Sequence, residues 1–278
     1  MPRRLRLDAE LVRRGLARSR EHASELIAAR RVKVNGAVAA KPATAVTTDV
    51  ALVVADDPTR PDYVSRGGHK LAGALAAFGP LGLAVQGRRC LDAGASTGGF
   101  TDVLLRAGAA GVVAVDVGYG QLAWSLRTDE RVVVLDRTNI RELTPEMVGG
   151  PVDLVVGDLS FISLELVLDP LLHVTAPEGD LALMVKPQFE VGKDRVGKGG
   201  VVRDPLLRGD AVLAVASASA LRGWGAQAVT TSPLPGPSGN VEYFLWLRRG
   251  DARVGEAEIR AEVRRTAGLG TPGERVGP

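Results

Sequence analysis

With 278 residues, 45% of them hydrophobic and 24% charged, the chain has an ordinary globular composition, with room for one large domain or a small and a medium one. A single cysteine, Cys90, excludes an internal disulfide framework, no Cys/His cluster has metal-ligand spacing, and no apolar run approaches a membrane span. The net charge of +3 hides an asymmetry: residues 1–42 hold eleven Lys/Arg against four Asp/Glu, a net of +7, which leaves −4 for the rest. A basic module facing a polyanion, most simply nucleic acid, is therefore expected, in a soluble cytoplasmic protein with no metal and no membrane partner. The basic start "MPRRLRLDAELVRRG" is followed by no apolar run, so it does not read as a secretory signal.

Along the chain, Leu7 and Leu11 share one helical face, and Ser19 is placed to cap a second helix whose inner face is Ala23, Leu26 and Ile27. "RRVKVNGAVAAKP" then alternates through Val32 and Val34, turns at Asn35-Gly36 and returns through Val38, a hairpin pattern. The expected unit spans 1–57 and leaves its cations outside; Arg3, Arg4, Arg6, Arg14, Arg18, Arg20 and Lys41 are the candidate RNA contacts. The stretch "RLDAELVRRGLARSREHASELIAARRVKVNGAVAAKP" resembles the S4 RNA-binding domain.

Residues 58–64 read as a short linker, and the second unit as 65–250. Ser65 is placed to cap a helix with Leu71, Ala74, Leu75 and Phe78 on one face and Lys70 beside that stripe. From Arg89 onward strands and helices alternate, the pattern of a parallel sheet covered on both faces. Strands are expected at 90–92, 112–116, 132–136, 154–158 and 181–186, with an antiparallel edge hairpin from 226–232 and 241–247. The fold class is thus α/β: a small α+β unit, then a Rossmann-like, mostly parallel seven-stranded sheet with an antiparallel edge. Residues 251–278 read as a weakly ordered tail containing one short helix.

The motif "LDAGASTGGF" sits between a strand and a helix, where a ligand loop belongs. Its residues Gly94, Ala95, Ser96, Thr97, Gly98, Gly99 and Phe100 depart from a dinucleotide fingerprint, because Ser96 stands where a glycine would approach a pyrophosphate. Asp116, 22 residues after Gly94, ends the second strand, where an acid accepts hydrogen bonds from ribose hydroxyls. Together with Asp92 before the loop, this fits S-adenosylmethionine better than a nicotinamide cofactor. Asp136, at the third strand end, is placed to read the adenine, and Asp158 also borders the donor.

Four ionisable residues collect at the carboxyl edge of the predicted sheet: Lys70, Asp158, Lys186 and Glu242. Lys186 is the candidate to take a proton from a ribose hydroxyl, Asp158 to orient Lys186 or the methyl donor, and Lys70 and Glu242 to position the ribose and support the lysine. The segment 190–205, with Lys193 and Lys198 among its cations, reads as an RNA-contacting lid.

This set resembles the K-D-K-E tetrad of the FtsJ/RrmJ-type ribose 2′-O-methyltransferases. With "SRGGHKL", "VGYGQLAW", "DLSFISL", "VKPQFEVGK" and "SPLPGPSGNVEYFLWL" added, nearly the whole chain is similar to the TlyA family of hemolysin A-like rRNA methyltransferases. The resemblance implies methylation of cytidine 2′-hydroxyls in 16S and/or 23S rRNA within ribosomal subunits, by an enzyme expected to be a monomer. The family's linker tryptophan is absent; "RPDYV" offers Tyr63 in its place. Two alternatives stand beside this reading. A membrane-active hemolysin lacks any signal, span or strongly amphipathic stretch, and an RNA-binding protein with an inactive enzyme fold is disfavoured by the complete tetrad.

Overall fold

The computed structural model describes residues 4–55, 61–236 and 238–266. Arg3, the start of the expected linker and the chain after 266 lie outside the described residues. The chain divides into two compact units, Met1–Asp62 and Tyr63–Pro278.

In the first unit β1 (Arg4–Arg6) leads directly into α1 (Leu7–Arg13), and α2 (Arg20–Ala28) begins at Ser19, whose side-chain oxygen accepts the His22 N–H at 3.1 Å. The helical stripe Leu7, Leu11, Ala23, Leu26 and Ile27 is buried together with Val32 and Val46. β2 (Val32–Val34) turns through Asn35 (φ 48°) and Gly36 (φ 82°) into β3 (Ala37–Val38), the two positive φ values that a tight hairpin turn requires. β4 (Ala45–Thr47) pairs antiparallel with β1, and β5 (Leu52–Val54) completes a sheet of order β3-β2-β5.

Two acids are buried in this basic unit, and each gathers arginines. Asp8 accepts from Arg6 (2.9 Å) and Arg20 (3.0 Å), and Glu10 from Arg13 (2.6 Å) and Arg14 (2.7 Å). Arg14 also donates to the carbonyls of Val50 (2.7 Å) and Thr48 (2.8 Å), so it braces the fold instead of standing free for RNA, which corrects its place among the expected contacts. Arg4, Arg6, Arg18, Arg20 and Lys41 remain exposed.

The second unit opens with α3 (Gly67–Phe78), which Ser65 does not cap with its side chain. Its carbonyl accepts the Gly68 N–H at 3.0 Å, and its hydroxyl lies where a Cβ on Gly99 would be. Of the expected linker, Tyr63 and Val64 belong to this body: the Val64 N–H donates to Asp102 at 2.8 Å, and the Tyr63 side chain covers Gly68, where a Cβ would come within 2.4 Å of the Tyr63 Cβ and 2.6 Å of its ring.

β6 (Arg89–Ala93), α4 (Gly99–Arg106), β7 (Gly111–Val115), α5 (Trp124–Arg127), β8 (Val132–Leu135), β9 (Val152–Gly157), α6 (Leu168–Val174), β10 (Thr175–Val185), α7 (Pro187–Glu190), α8 (Pro205–Ala220), β11 (Trp224–Thr231), β12 (Tyr243–Arg249) and α9 (Glu256–Arg265) follow. They build a seven-stranded sheet of order β11-β12-β10-β9-β6-β7-β8, in which β12 alone runs antiparallel to its neighbours. Continuous Val/Leu runs make these strands apolar on both faces, and helices cover both. α9 is the one short helix expected in the tail, and it is docked on the sheet: Ile259 and Val263, one turn apart, are buried in the core beside Trp224 and Ala226. β6 and β9 are parallel neighbours at which the order of strand addition switches from one side of the sheet to the other, so a crevice opens at their carboxyl ends.

Acid should undo the first unit through its buried acids. Hydrogen bonds from Arg6 hold the Asp8 carboxyl at about 2, and those from Arg13 hold Glu10 at about 2. Both values lie below those of an unfolded chain, so the unfolded state binds more protons in acid. The stabilisation is complete above about pH 5 and is lost as pH falls towards about 2. Methyl NMR signals of Leu11 and Ile27 in the full chain should lose dispersion over that window, and Glu10→Gln should flatten the dependence at the expense of stability at neutral pH.

Candidate active site

The glycine loop joins the carboxyl end of β6 to α4, and its shape follows from three residues. Gly94 has φ 84°, and a Cβ there would lie 3.0 Å from the Asp158 carbonyl, so only glycine lets the ends of β6 and β9 abut. Gly98 has φ 98° at the start of α4, with Leu126 directly against it. Ser96 takes the left-handed conformation (φ 48°) that Gly usually supplies, held by its N–H donating to Asp116 Oδ2 at 2.8 Å. The other Asp116 oxygen accepts the Gly118 N–H at 2.7 Å, so this carboxylate organises two loops at once.

Two cavities meet at this loop and share Gly94, Ser96 and Asp158 as wall residues. The larger, about 470 Å³, is lined by Asp116, Gln121, Asn139, Ile140, Leu159, Ser160, Phe161, Ile162 and Val167. Apolar walls with a few convergent polar groups suit a flat heterocycle carrying a polyhydroxylated sugar. The smaller, about 250 Å³, runs past Ala95, Thr97, Gly99 and Phe100 to Ser65, Arg66, Gly67 and Lys70. An elongated ligand spanning both would cross the glycine loop beside Asp158.

Two expected ligand contacts sit elsewhere. Asp136 lines neither cavity; it is held by Arg127 (2.5 Å) on α5 and by the Gly120 N–H (3.3 Å), while Asn139 and Ile140 occupy the wall expected of it. Asp92 is 1% exposed and accepts the Thr101 hydroxyl at 2.7 Å, which ties β6 to α4 beneath the loop. Burial pushes its carboxyl up to about 7, against the hydrogen bonds from Thr101, with Asp158 and Asp116 adding to the rise. Asp92 therefore supports the loop from below and does not face the ligand.

The four charged residues at the sheet edge form two ion pairs. Lys186, directly after β10, places Nζ 2.6 Å from Asp158 Oδ1 and 2.8 Å from Ser160 Oγ. Lys70, in the first turn of α3, reaches Glu242 Oε2 at 2.6 Å, and Gln188 donates to the other Glu242 oxygen at 3.1 Å. Lys70, Lys186 and Glu242 are buried, with relative exposures of 8%, 6% and 1%. Glu242 gets there because β12 runs antiparallel, so the residue before its first position lies at the carboxyl edge of the parallel strands. The expected lid at 190–205 is fastened: Asn240, two residues before Glu242, donates to the Gly200 carbonyl (2.8 Å) and accepts the Val202 N–H (2.9 Å). Lys193 and Lys198 remain exposed on it.

Gln121, Leu159, Ser160, Phe161, Leu234 and Pro235 line the cavities without having stood out in the sequence. Their sequence signal is membership of the stretches "VGYGQLAW", "DLSFISL" and "SPLPGPSGNVEYFLWL" that carry the family resemblance, none of which singles out a side chain. Among the described residues there is no group of three or more His, Cys, Asp or Glu able to hold a metal, and no helix is long and apolar enough to cross a membrane.

Residues 63–249 match the FtsJ-like methyltransferase family and residues 5–51 the S4 domain. The chain is 65% identical to the 16S/23S rRNA (cytidine-2′-O)-methyltransferase TlyA of Mycobacterium tuberculosis, over 89% of this chain and 91% of that protein. It is 38% identical to Hemolysin A of Brachyspira hyodysenteriae, over 86% and 98% of the two chains. A solved Streptococcus thermophilus protein that carries a hemolysin name superposes with a TM-score of 0.72 at 34% identity, covering 97% of each chain.

The Lys70–Glu242 pair separates stability from chemistry. Lys70→Met leaves a carboxylate buried without its cation and should destabilise the fold by about 3 kcal/mol, whereas Lys70→Met/Glu242→Leu should recover most of that loss. Urea unfolding of both variants checks this, and both should fail to transfer methyl groups.

Proposed function

Because the chain belongs to the FtsJ-like methyltransferase family and carries an S4 domain ahead of the catalytic unit, we propose that it methylates the ribose 2′-hydroxyl of cytidine in 16S and 23S rRNA. S-adenosylmethionine is the donor. The observation that carries this reading is the two lysine–carboxylate couples, both lysines buried, at the edge of the two joined cavities, in a chain whose separate basic unit suits a polyanion.

The larger cavity fits the adenosine end of the donor. Asp116 keeps lone pairs free for ribose hydroxyls after accepting two backbone N–H groups, and Asn139 with Ile140 and Ile162 bounds the base. Gly94–Gly99 leads the amino-acid end toward the smaller cavity. When bound, the donor supplies an electrophilic methyl group on a sulfonium, so the protein's own work is alignment and the handling of one proton.

Lys186 takes that proton. As the ribose oxygen bonds to the methyl carbon, the carbon–sulfur electrons pass to sulfur and the hydroxyl proton passes to Lys186 Nζ. Asp158, 2.6 Å away, orients the amine and stabilises the ammonium that results. Lys70, fixed by Glu242 and bordering the smaller cavity, positions the ribose; Gln188 in turn fixes Glu242. Arg4, Arg6, Arg18, Arg20 and Lys41 of the first unit, with Lys193 and Lys198 of the second, contact the RNA backbone.

Lys186→Ala should lower methyl transfer to ribosomal subunits by roughly 10²–10⁴-fold. Binding of S-adenosylhomocysteine, measured by calorimetry, should change little. Mapping 2′-O-methyl groups on rRNA from cells with and without the protein tests the substrate: an unchanged map would leave the fold without this function.

A further inference from the structure

Between Asp158 and Ser163 the chain makes a loop that its own residues do not favour. Phe161 has φ 65° and is 91% exposed, so an aromatic residue adopts a left-handed backbone with no burial to offset the strain. The loop's shape is imposed from the other side of the site. Glu190, at the end of α7, accepts the Ser163 hydroxyl at 2.6 Å and the Leu164 N–H at 2.9 Å. Lys186, at the start of the same turn, donates to Ser160 at 2.8 Å and pairs with Asp158 at 2.6 Å. The loop is thus clamped at both ends to the segment that carries the lysine.

A lysine nitrogen has three tetrahedral positions beyond its carbon. In the neutral amine that accepts a proton, two hold N–H groups and one the lone pair. With one fixed acceptor, the remaining N–H and the lone pair exchange places by rotation about the carbon–nitrogen bond. A second fixed acceptor removes that freedom. Ser160 is such an acceptor, hydrogen-bonded to Lys186, and the Asp158 carboxylate, in ion-pair contact at 2.6 Å, repels the lone pair and so removes that freedom; both line the larger cavity.

We infer that Ser160 is a positioning residue for methyl transfer: it accepts one N–H of Lys186 while the Asp158 carboxylate at 2.6 Å keeps the lone pair turned away from itself, which directs the lone pair to the ribose hydroxyl, and Glu190 holds the loop that carries it. This rests on Lys186 as the proton acceptor. The hydroxyl of Ser160 touches neither ribose nor donor in this role; it acts through the lysine.

The experiment compares Ser160→Thr with Ser160→Val in the full-length protein. The two side chains have nearly the same shape and differ in the hydroxyl. Single-turnover methylation of ribosomal subunits with saturating donor should be near wild type for Ser160→Thr and slower by about tenfold for Ser160→Val and Ser160→Ala. Affinity for S-adenosylhomocysteine should stay within about twofold in all three, since the lost interaction lies at the reacting amine. Equal rates for the Thr and Val variants would overturn the inference, because shape and not the hydroxyl would then matter. Wild-type turnover by Ser160→Val with an inactive Lys186→Ala would remove Ser160 alone, whereas an active Lys186→Ala would remove the assignment on which it rests.

Discussion

The site depends on keeping two ammonium groups out of water without leaving either unpaired. Removing one ion from solvent costs several kcal/mol even after relaxation, and only a close, well-oriented counter-charge offsets it. Lys70 meets that condition through its hydrogen-bonded Glu242 at 2.6 Å, 172 residues further along the chain, and Lys186 through Asp158 in contact at 2.6 Å together with a hydrogen bond to Ser160. The long-range fold is therefore a precondition of the chemistry. Lys70 comes from the helix before the first sheet strand, Asp158 and Lys186 from the ends of adjacent parallel strands, and Glu242 from the start of the one strand that runs the other way. A sheet with β12 reversed would take Glu242 to the opposite edge.

Much of this was legible because an apolar strand that ends in a charge is conspicuous. "LALMVK" and "VDLVVGD" mark Lys186 and Asp158 directly, and the short loop between the last two strands forces the reversal that delivers Glu242. The same rule fails at Asp136. That residue ends its strand in the same way, but Arg127, nine residues earlier, reaches back and takes the carboxylate, a pairing that no periodicity encodes. Asp92 misleads for the opposite reason: it sits inside its strand, where Thr101 and burial claim it. The cavity wall from Leu159 to Ile162 was illegible because loop residues carry no period, and the left-handed Phe161 is set by contacts from Lys186 and Glu190. α9 was legible as one short helix, but its packing was not, because two apolar residues one turn apart, Ile259 and Val263, make too short a stripe in a charged segment.

In the first unit the charge count was informative and the individual roles were not. Eleven cations read as one basic surface, yet the buried acids Asp8 and Glu10 divide them. Asp8 holds Arg6 and Arg20 while leaving them 51% and 60% exposed, so the pairing limits their rotamers and keeps a face for phosphate. Glu10 and the Thr48 and Val50 carbonyls consume Arg14, which is 23% exposed. An arginine with one acid partner can still fork toward a phosphate; one that has given an N–H from each of its three nitrogens to two carbonyls and a carboxylate keeps only two of its five donors.

Pairing also answers an electrostatic difficulty particular to a cationic methyl donor. Two unpaired lysines beside a sulfonium would each repel it by about 4 kcal/mol at 4 Å and an effective dielectric near 20. At rest the tetrad sums to zero, two lysines and two carboxylates with each pair at contact distance; with Lys186 as the neutral amine that accepts the proton, the set carries −1 opposite the sulfonium. On the proposed mechanism the positive charge leaves the donor during transfer and reaches Lys186 with the ribose proton. Asp158 is already 2.6 Å from that nitrogen, so its carboxylate gains a full counter-charge as the reaction proceeds and needs no movement to meet it. An interaction that strengthens between reactants and transition state accelerates the step, whereas one of constant strength does not. The arrangement thus accounts for the lysine at Lys186 and for the acid held against it.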